Sequence, residues 1–181
     1  MENFSQMMVF LVTTVSSLYI AITLLRFLFQ LVRAEFYNPI SQFIVKVTNP
    51  LLIPLRYLIP GVFGIDLASI VLALLLQILT IEAIYFIQYD QFAPFTPVLI
   101  ASAFKIVALV LDIYFWAILI MVVLSWVAPY SNHPVTSLIN SLLHPILSRI
   151  QRVIPPMGGL DFAPMVMMIL IYCTKILLGL G

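Results

Sequence analysis

Residues 38–66 read NPISQFIVKVTNPLLIPLRYLIPGVFGID, and residues 133–161 read HPVTSLINSLLHPILSRIQRVIPPMGGLD. At a constant shift of 95 positions the two align without a gap. Pro39 falls on Pro134, Ile44 on Ile139, Pro50 on Pro145 and Leu52 on Leu147. Ile59-Pro60 falls on Ile154-Pro155, Gly64 on Gly159, Asp66 on Asp161 and Ala68 on Ala163. Proline and glycine each impose a particular backbone geometry, so their coincidence at one offset carries more weight than matching leucines. An internal repeat decides architecture before any motif does.

On either side of these segments the chain is apolar. A helix needs about 20 mostly apolar residues to cross the hydrocarbon core. Four stretches reach that length: residues 7–29, 67–87, 105–127 and 162–180. Between the second and third, Pro94 and Pro97 interrupt residues 91–104, which read as an interfacial connector. The expected fold is therefore an all-α membrane protein, with four transmembrane helices in two tandem parallel repeats. Residues 1–90 form the first repeat (span, connector, span), 91–104 a joining segment and 105–181 the second repeat. Parallel repeats neither demand nor exclude transport.

Composition sets the class. Of 181 residues, 64% are hydrophobic and 8% charged, against about 25% charged in soluble domains. Eight Lys and Arg nearly balance seven Asp and Glu, which leaves no basic field for nucleic acid. The start, Met1-Glu2-Asn3, lacks a basic n-region, so the first apolar stretch is expected to be retained rather than cleaved. Six cations cluster in the two long connectors or at their edge: Arg26, Arg33, Lys46, Arg56, Arg149 and Arg152. Positive charge is held inside. Both connectors are thus expected at the cytoplasmic face of a bacterial inner membrane, with both termini outside.

Each connector carries a helical stripe. In the first, Asn38 is placed to cap a helix that Pro39 opens, and Ile40, Phe43, Ile44 and Val47 recur at helical spacing. In the second, Pro134 opens the same pattern with Val135, Leu138, Ile139 and Leu142. These amphipathic pieces are expected to lie in the interface with their stripes toward the acyl chains. A second short piece follows in each, opened by Pro145 in one copy and interrupted by Pro54 in the other. Arg33, Lys46, Arg56, Arg149 and Arg152 are the inner-leaflet basic residues; Arg56, Arg149 and Arg152 either attract anionic lipid at the headgroup level or simply follow the positive-inside rule. Asp66 and Asp161 are read as caps of the spans that follow them.

Besides Arg26 at the end of the first span, four ionisable residues fall at or within the spans: Glu82, Lys105, Asp112 and Lys175. Charge near the bilayer centre is costly unless paired or wetted. An outer-leaflet cluster of these four is expected, with Glu82–Lys175 as the principal pair. Lys105 and Asp112 stand about 10 Å apart along one helix, too far to pair with each other. Thr13, Thr14, Ser16 and Ser17 read as small residues for close helix contact.

Catalytic and metal patterns are missing from the sequence. His133 and His144 have no carboxylate or cysteine near them in the chain, and Cys173 is the single cysteine. There is no phosphate-binding glycine loop, no HExxH and no Ser-His-Asp order. The reading is of a non-enzymatic protein without cofactor or metal.

Tyr37-Asn38-Pro39-Ile40-Ser41, Lys46, Pro50, Pro54-Leu55-Arg56, Ile59-Pro60, Gly64 and Asp66 resemble the YggT family of small membrane proteins. Ser125-Trp126, Pro134, Pro145, Arg149, Arg152, Ile154-Pro155-Pro156 and Gly158-Gly159-Leu160-Asp161-Phe162 are similar to its second half. The chain departs from the family pattern at Gln151 and Tyr57, where a basic residue is usual. The resemblance implies a role in envelope organisation and in tolerance of osmotic stress or cation imbalance. It also brings two alternatives, an ion channel or ion-homeostasis component and a helper in membrane cofactor assembly, the latter through plastid relatives. The expected partners are the bilayer, including anionic lipid, and either further copies of the chain or another membrane protein.

Overall fold

The computed structural model describes residues 2–61, 64–127, 133–157 and 161–180. Six helices make up the regular structure among these residues, with no strand. They are α1 (Glu2–Leu31), α2 (Pro39–Leu58), α3 (Leu67–Tyr89), α4 (Phe95–Val127), α5 (Pro134–Val153) and α6 (Ala163–Leu177). Helices α1, α3 and α4 are long and apolar enough to cross a membrane. Helix α6 has 15 residues. At ~1.5 Å per residue it spans about 22 Å, short of the ~30 Å hydrocarbon core.

The connector helices α2 and α5 correspond closely. Each has 20 residues, and their bounds differ by the same 95 positions as their sequences. Asn38 caps α2 by accepting from the Ile40 N–H at 3.0 Å, and His133 Nδ1 accepts from the Val135 N–H at 3.3 Å. Proline holds the first helical position in both, where its missing N–H costs nothing. Both end on an isoleucine of almost identical geometry, Ile59 at φ −122°, ψ 93° and Ile154 at φ −124°, ψ 88°.

Two local expectations are corrected. Neither connector splits into two short pieces, because Pro50, Pro54 and Pro145 lie inside continuous helices. Each proline removes one backbone donor, and tertiary packing holds the helix together through the gap. Residues 95–104 are likewise not a connector but the first turns of α4. Pro97 is the third residue of that helix, within the turn whose N–H groups have no intrahelical partner. With 33 residues, α4 is about 50 Å long and overreaches the hydrocarbon core.

The main core joins α4, α5 and α6 around Ile118, Leu142, Leu143, Ala163 and Met167, with Leu28 reaching in from α1. Smaller clusters tie α1 to α3 through Ile20, Leu24 and Ala73, and α2 to α3 through Leu52, Ala68 and Leu72. Helix α1 runs along α3 over much of its length, whereas α4 meets α6 over a shorter stretch. Small buried residues, Thr23, Ser69 and Ala73, allow that first approach.

Candidate functional site

The best-defined polar features lie where the connector helices meet the ends of the long helices. Arg26, near the end of α1, is 7% exposed. Its Nη1 donates to Thr48 Oγ1 at 2.5 Å, to Asn49 Oδ1 at 2.8 Å and to the Val45 carbonyl at 3.3 Å, which fastens α1 to α2. Helix α1 stops just beyond it. The Arg33 N–H donates to the Gln30 carbonyl and the Ala34 N–H to the Phe29 carbonyl, a Schellman motif. That motif places Arg33 at φ 53°, where glycine is usual.

The end of α2 is latched to the start of α3. Arg56 Nη2 donates to Asp66 Oδ2 at 2.5 Å, and Ser69 Oγ donates to the same oxygen at 2.6 Å. Asp66 is 4% exposed. Its burial alone would raise the carboxyl pKa. The hydrogen bonds from Arg56 and Ser69, with the charges of Arg56 and Arg26, outweigh burial and hold it below the ordinary value. Asp66 was expected to cap α3. It occupies the cap position, but its side chain bonds no helix N–H; the arginine and the serine hydroxyl both donate to Oδ2.

The second copy repeats the latch with neutral chemistry. Gln151, at the position of Arg56, donates from Nε2 to Asp161 Oδ2 at 2.8 Å. Asp161 Oδ1 also accepts from the Ala163 N–H at 2.9 Å, so this aspartate does cap its helix, from one residue before Phe162. The two connectors also touch. The Asn38 side chain, buried, donates from Nδ2 to the Pro134 carbonyl at 2.8 Å.

Of the repeat-signature residues, Pro60 and Pro155 follow the helix ends and are exposed. Gly64 holds φ 80°, which is why glycine is needed there. Gly159 lies outside the described residues. Lys46, Arg149 and Arg152 are exposed.

The intramembrane charges pair differently from the expectation. Lys175 Nζ meets Asp112 Oδ1 at 2.7 Å, not Glu82. Helix α6 packs on α4 and α5 and does not reach α3, which carries Glu82. Glu82 Oε2 instead accepts from the Ala93 N–H at 3.1 Å and ties down the turn after α3. The expected four-charge cluster is therefore divided. Asp112 and Lys105 both line a cavity of about 210 Å³ between α1, α3 and α4, with Thr13, Ser17, Gln77 and Thr80. Thr13 and Ser17 are lining residues as well as small ones, and Glu82 is absent from the wall.

The connector stripes also divide. In α5, Leu138, Ile139 and Leu142 are buried in the protein core rather than turned to acyl chains. In α2, Ile44 goes inward while Phe43 stays 59% exposed. Leu51, Ile53, Tyr57 and Leu58 are exposed beside it, interspersed with Lys46 and Arg56. The exposed positions of α5 are mainly polar: Ser137, Asn140, His144, Arg149 and Arg152. A sequence stripe states which side is apolar and leaves open what covers it.

Sequence reasoning used Arg26 only to orient the chain. The available signal was an arginine inside an apolar run, which by itself marks a polar partner nearby. The role of Asn38 toward Pro134 had no such signal, since it depends on a segment distant in the chain.

The CCB3/YggT family model matches residues 5–87 and 100–180, two segments whose starts are again 95 positions apart. The chain belongs to this family. It is similar to an uncharacterized protein of Pseudomonas aeruginosa, 46% identical over 86% of this chain and 80% of the relative. The uncharacterized protein YggT of Escherichia coli K12 is 39% identical over 90% of this chain and 84% of its own length. An uncharacterized Vibrio alginolyticus protein from a proC 3′ region is 36% identical over 95% and 93%. No solved structure matches the chain. YggT membership bears out the family resemblance of the quoted Pro, Gly and Asp residues.

Proposed function

We propose that this YggT-family protein is a non-enzymatic, multi-pass organiser of the bacterial inner membrane. Its four spans are two parallel copies of one hairpin, with both termini outside and both connectors at the cytoplasmic leaflet. In this role it supports envelope integrity under osmotic or cation stress. The observation that carries the reading is the difference between the outer faces of two otherwise matched helices. Exposed Phe43, Leu51, Ile53, Tyr57 and Leu58 alongside Lys46 and Arg56 suit α2 to the headgroup–acyl boundary. The polar outer face of α5 suits an aqueous or protein neighbour. Matching bounds and caps of α2 and α5, and the two-segment family match, support the duplication.

Photocrosslinkers at Phe43 and Asn140 test this in living cells. Lipid adducts are expected at position 43 and protein adducts at 140; protein adducts alone at 43 would overturn the assignment of α2. Reporters fused after Gln42 and after Ser137 should fall in the same compartment, and opposite compartments would overturn the parallel arrangement.

A second reading, an ion-conducting component, draws on the polar cavity that Asp112 and Lys105 line. Potassium or sodium flux in proteoliposomes, abolished by Asp112→Asn, would replace the organiser reading with that one.

A further inference from the structure

A cavity of about 410 Å³ opens between the end of α1 and the start of α2. Its volume falls in the range of small-molecule sites, roughly 300–1,000 Å³. Three arginines from different places in the chain line it: Arg26, Arg33 and Arg56. Asp66 offsets Arg56. Arg33 makes no ion pair among the described residues, and Arg26 is fastened through Nη1 to neutral partners. Three guanidinium groups thus meet the single carboxylate of Asp66, a net excess of two positive charges around one hollow. The Nε and Nη2 groups of Arg26 make no hydrogen bond among the described residues.

A second, independent feature points the same way. Ser41 lines the cavity, is 7% exposed, and its Oγ has no hydrogen-bond partner among the described residues. A buried hydroxyl is normally satisfied. Here a donor stands waiting beside guanidinium groups, an arrangement that suits an oxyanion. Arginine forks match phosphate geometry in particular. Phe29 and Phe36 complete the wall, so the anion would sit against apolar surface.

We propose that this pocket binds a phosphate group, supplied by the headgroup of an anionic phospholipid or by a free phosphate ion. The proposal rests on the reading of α2 as a leaflet-facing helix and gives that helix a specific ligand. The second copy supplies an internal control. At the positions of Arg26, Arg33 and Arg56 it has Met121, Ala128 and Gln151, all neutral. The arginines belong to the first copy alone, whereas Thr136, at the position of Ser41, likewise has a buried hydroxyl with no hydrogen-bond partner among the described residues.

The backbone at Arg33 allows a clean test. Its φ of 53° suits glycine better than arginine, so Arg33→Gly should fold at least as well as the parent while losing a ligand group. The full chain in neutral detergent is offered phosphatidylglycerol or phosphatidylcholine, and retained lipid is counted by native mass spectrometry. In parallel, inorganic phosphate is tested for thermal protection against sulfate-free, equal-ionic-strength chloride. Selective retention of phosphatidylglycerol, reduced about tenfold by Arg33→Gly and by Ser41→Ala, is expected. Asn140→Ala, on the exposed face of α5 and outside this pocket, should leave retention unchanged.

Protection by inorganic phosphate without lipid selectivity, lost in the same two variants, would support the site with the soluble ion as its source. Equal retention of both lipids together with no phosphate protection overturns the proposal, as does wild-type binding in Arg33→Gly. Loss of this site with lipid crosslinks at Phe43 intact would remove the pocket and leave the leaflet reading standing. Phosphate protection with no lipid crosslink would do the reverse.

Discussion

The two connectors share length, caps and position, yet the first is held by charge and the second by apolar packing. At α2, Arg26 reaches Thr48 and Asn49, and Arg56 reaches Asp66. The positions of Arg26 and Thr48 become Met121 and Leu143 in the second copy, where Leu143 is fully buried and Met121 packs on its cluster. Arg56–Asp66 becomes Gln151–Asp161. The backbone geometry of two matched helices can thus persist while the forces that hold it are exchanged. The difference also decides which face of each helix stays free. A polar lock needs few apolar contacts, so α2 leaves large hydrophobic residues outside, whereas α5 spends its own on the core.

The largest expected effect comes from breaking the charged latch. Asp66→Ala removes two hydrogen bonds and leaves Arg56 and buried Arg26 without a counter-charge. A loss of roughly 2–4 kcal/mol is expected, moderated because Arg56 is partly solvated. Asp161→Ala, which frees only a neutral amide and one helix N–H, should cost about 0.5–1 kcal/mol. Thermal unfolding of both variants in the same detergent compares them directly; equal losses would abolish the distinction drawn between the copies. The pH dependence has a defined sign. Because folding lowers the Asp66 pKa, the unfolded chain takes up the proton first as pH falls. The stability Asp66 contributes is therefore complete above the ordinary carboxylate value of about 4 and lost below it, as pH drops toward the folded pKa. Asp66→Asn should flatten that part of the stability–pH curve.

Exchanging the locks themselves should have the next largest effect. Arg26→Met alone strands Asn49 and removes the fastening of α1 to α2, at a cost of about 1–3 kcal/mol. Arg26→Met with Thr48→Leu installs the second copy's pair in the first copy. The double variant should recover part of the loss, with a coupling of about 1 kcal/mol in a double-mutant cycle. Strict additivity would show that the two locks are not interchangeable solutions to one geometry.

What the sequence disclosed followed the backbone. The shift of 95 anticipated the first residues of α2 and α5, because Pro39 and Pro134 act locally. Where prolines were taken as breaks, at Pro97 and again at Pro54 and Pro145, local reasoning misjudged the ends. A proline in a first turn costs nothing, and one within a packed helix is outweighed by tertiary contacts. Pairings were least legible. Glu82 was expected to pair with Lys175, but which helices are neighbours is a tertiary fact, and α6 lies against α4. The stripe of α5 was correctly apolar, and its burial depended on a core that no single segment encodes.

The smallest expected effect sharpens the comparison most. Gln151→Arg would convert the neutral latch into the charged one, with Asp161 already in place at the equivalent position. If the copies differ only in the chemistry of the fastening, the new arginine should reach Asp161 and add about 0.2–1 kcal/mol, the usual range for an exposed ion pair. The gain should shrink as salt rises, since Asp161 is exposed and its charge is screened. It should stay below the loss caused by Asp66→Ala, because no buried Arg26 stands behind Asp161 and Met121 takes its place. Thermal unfolding at low and high salt separates these terms. A salt-independent gain, or one as large as the Asp66 loss, would mean that burial differs little between the latches and that their asymmetry lies elsewhere.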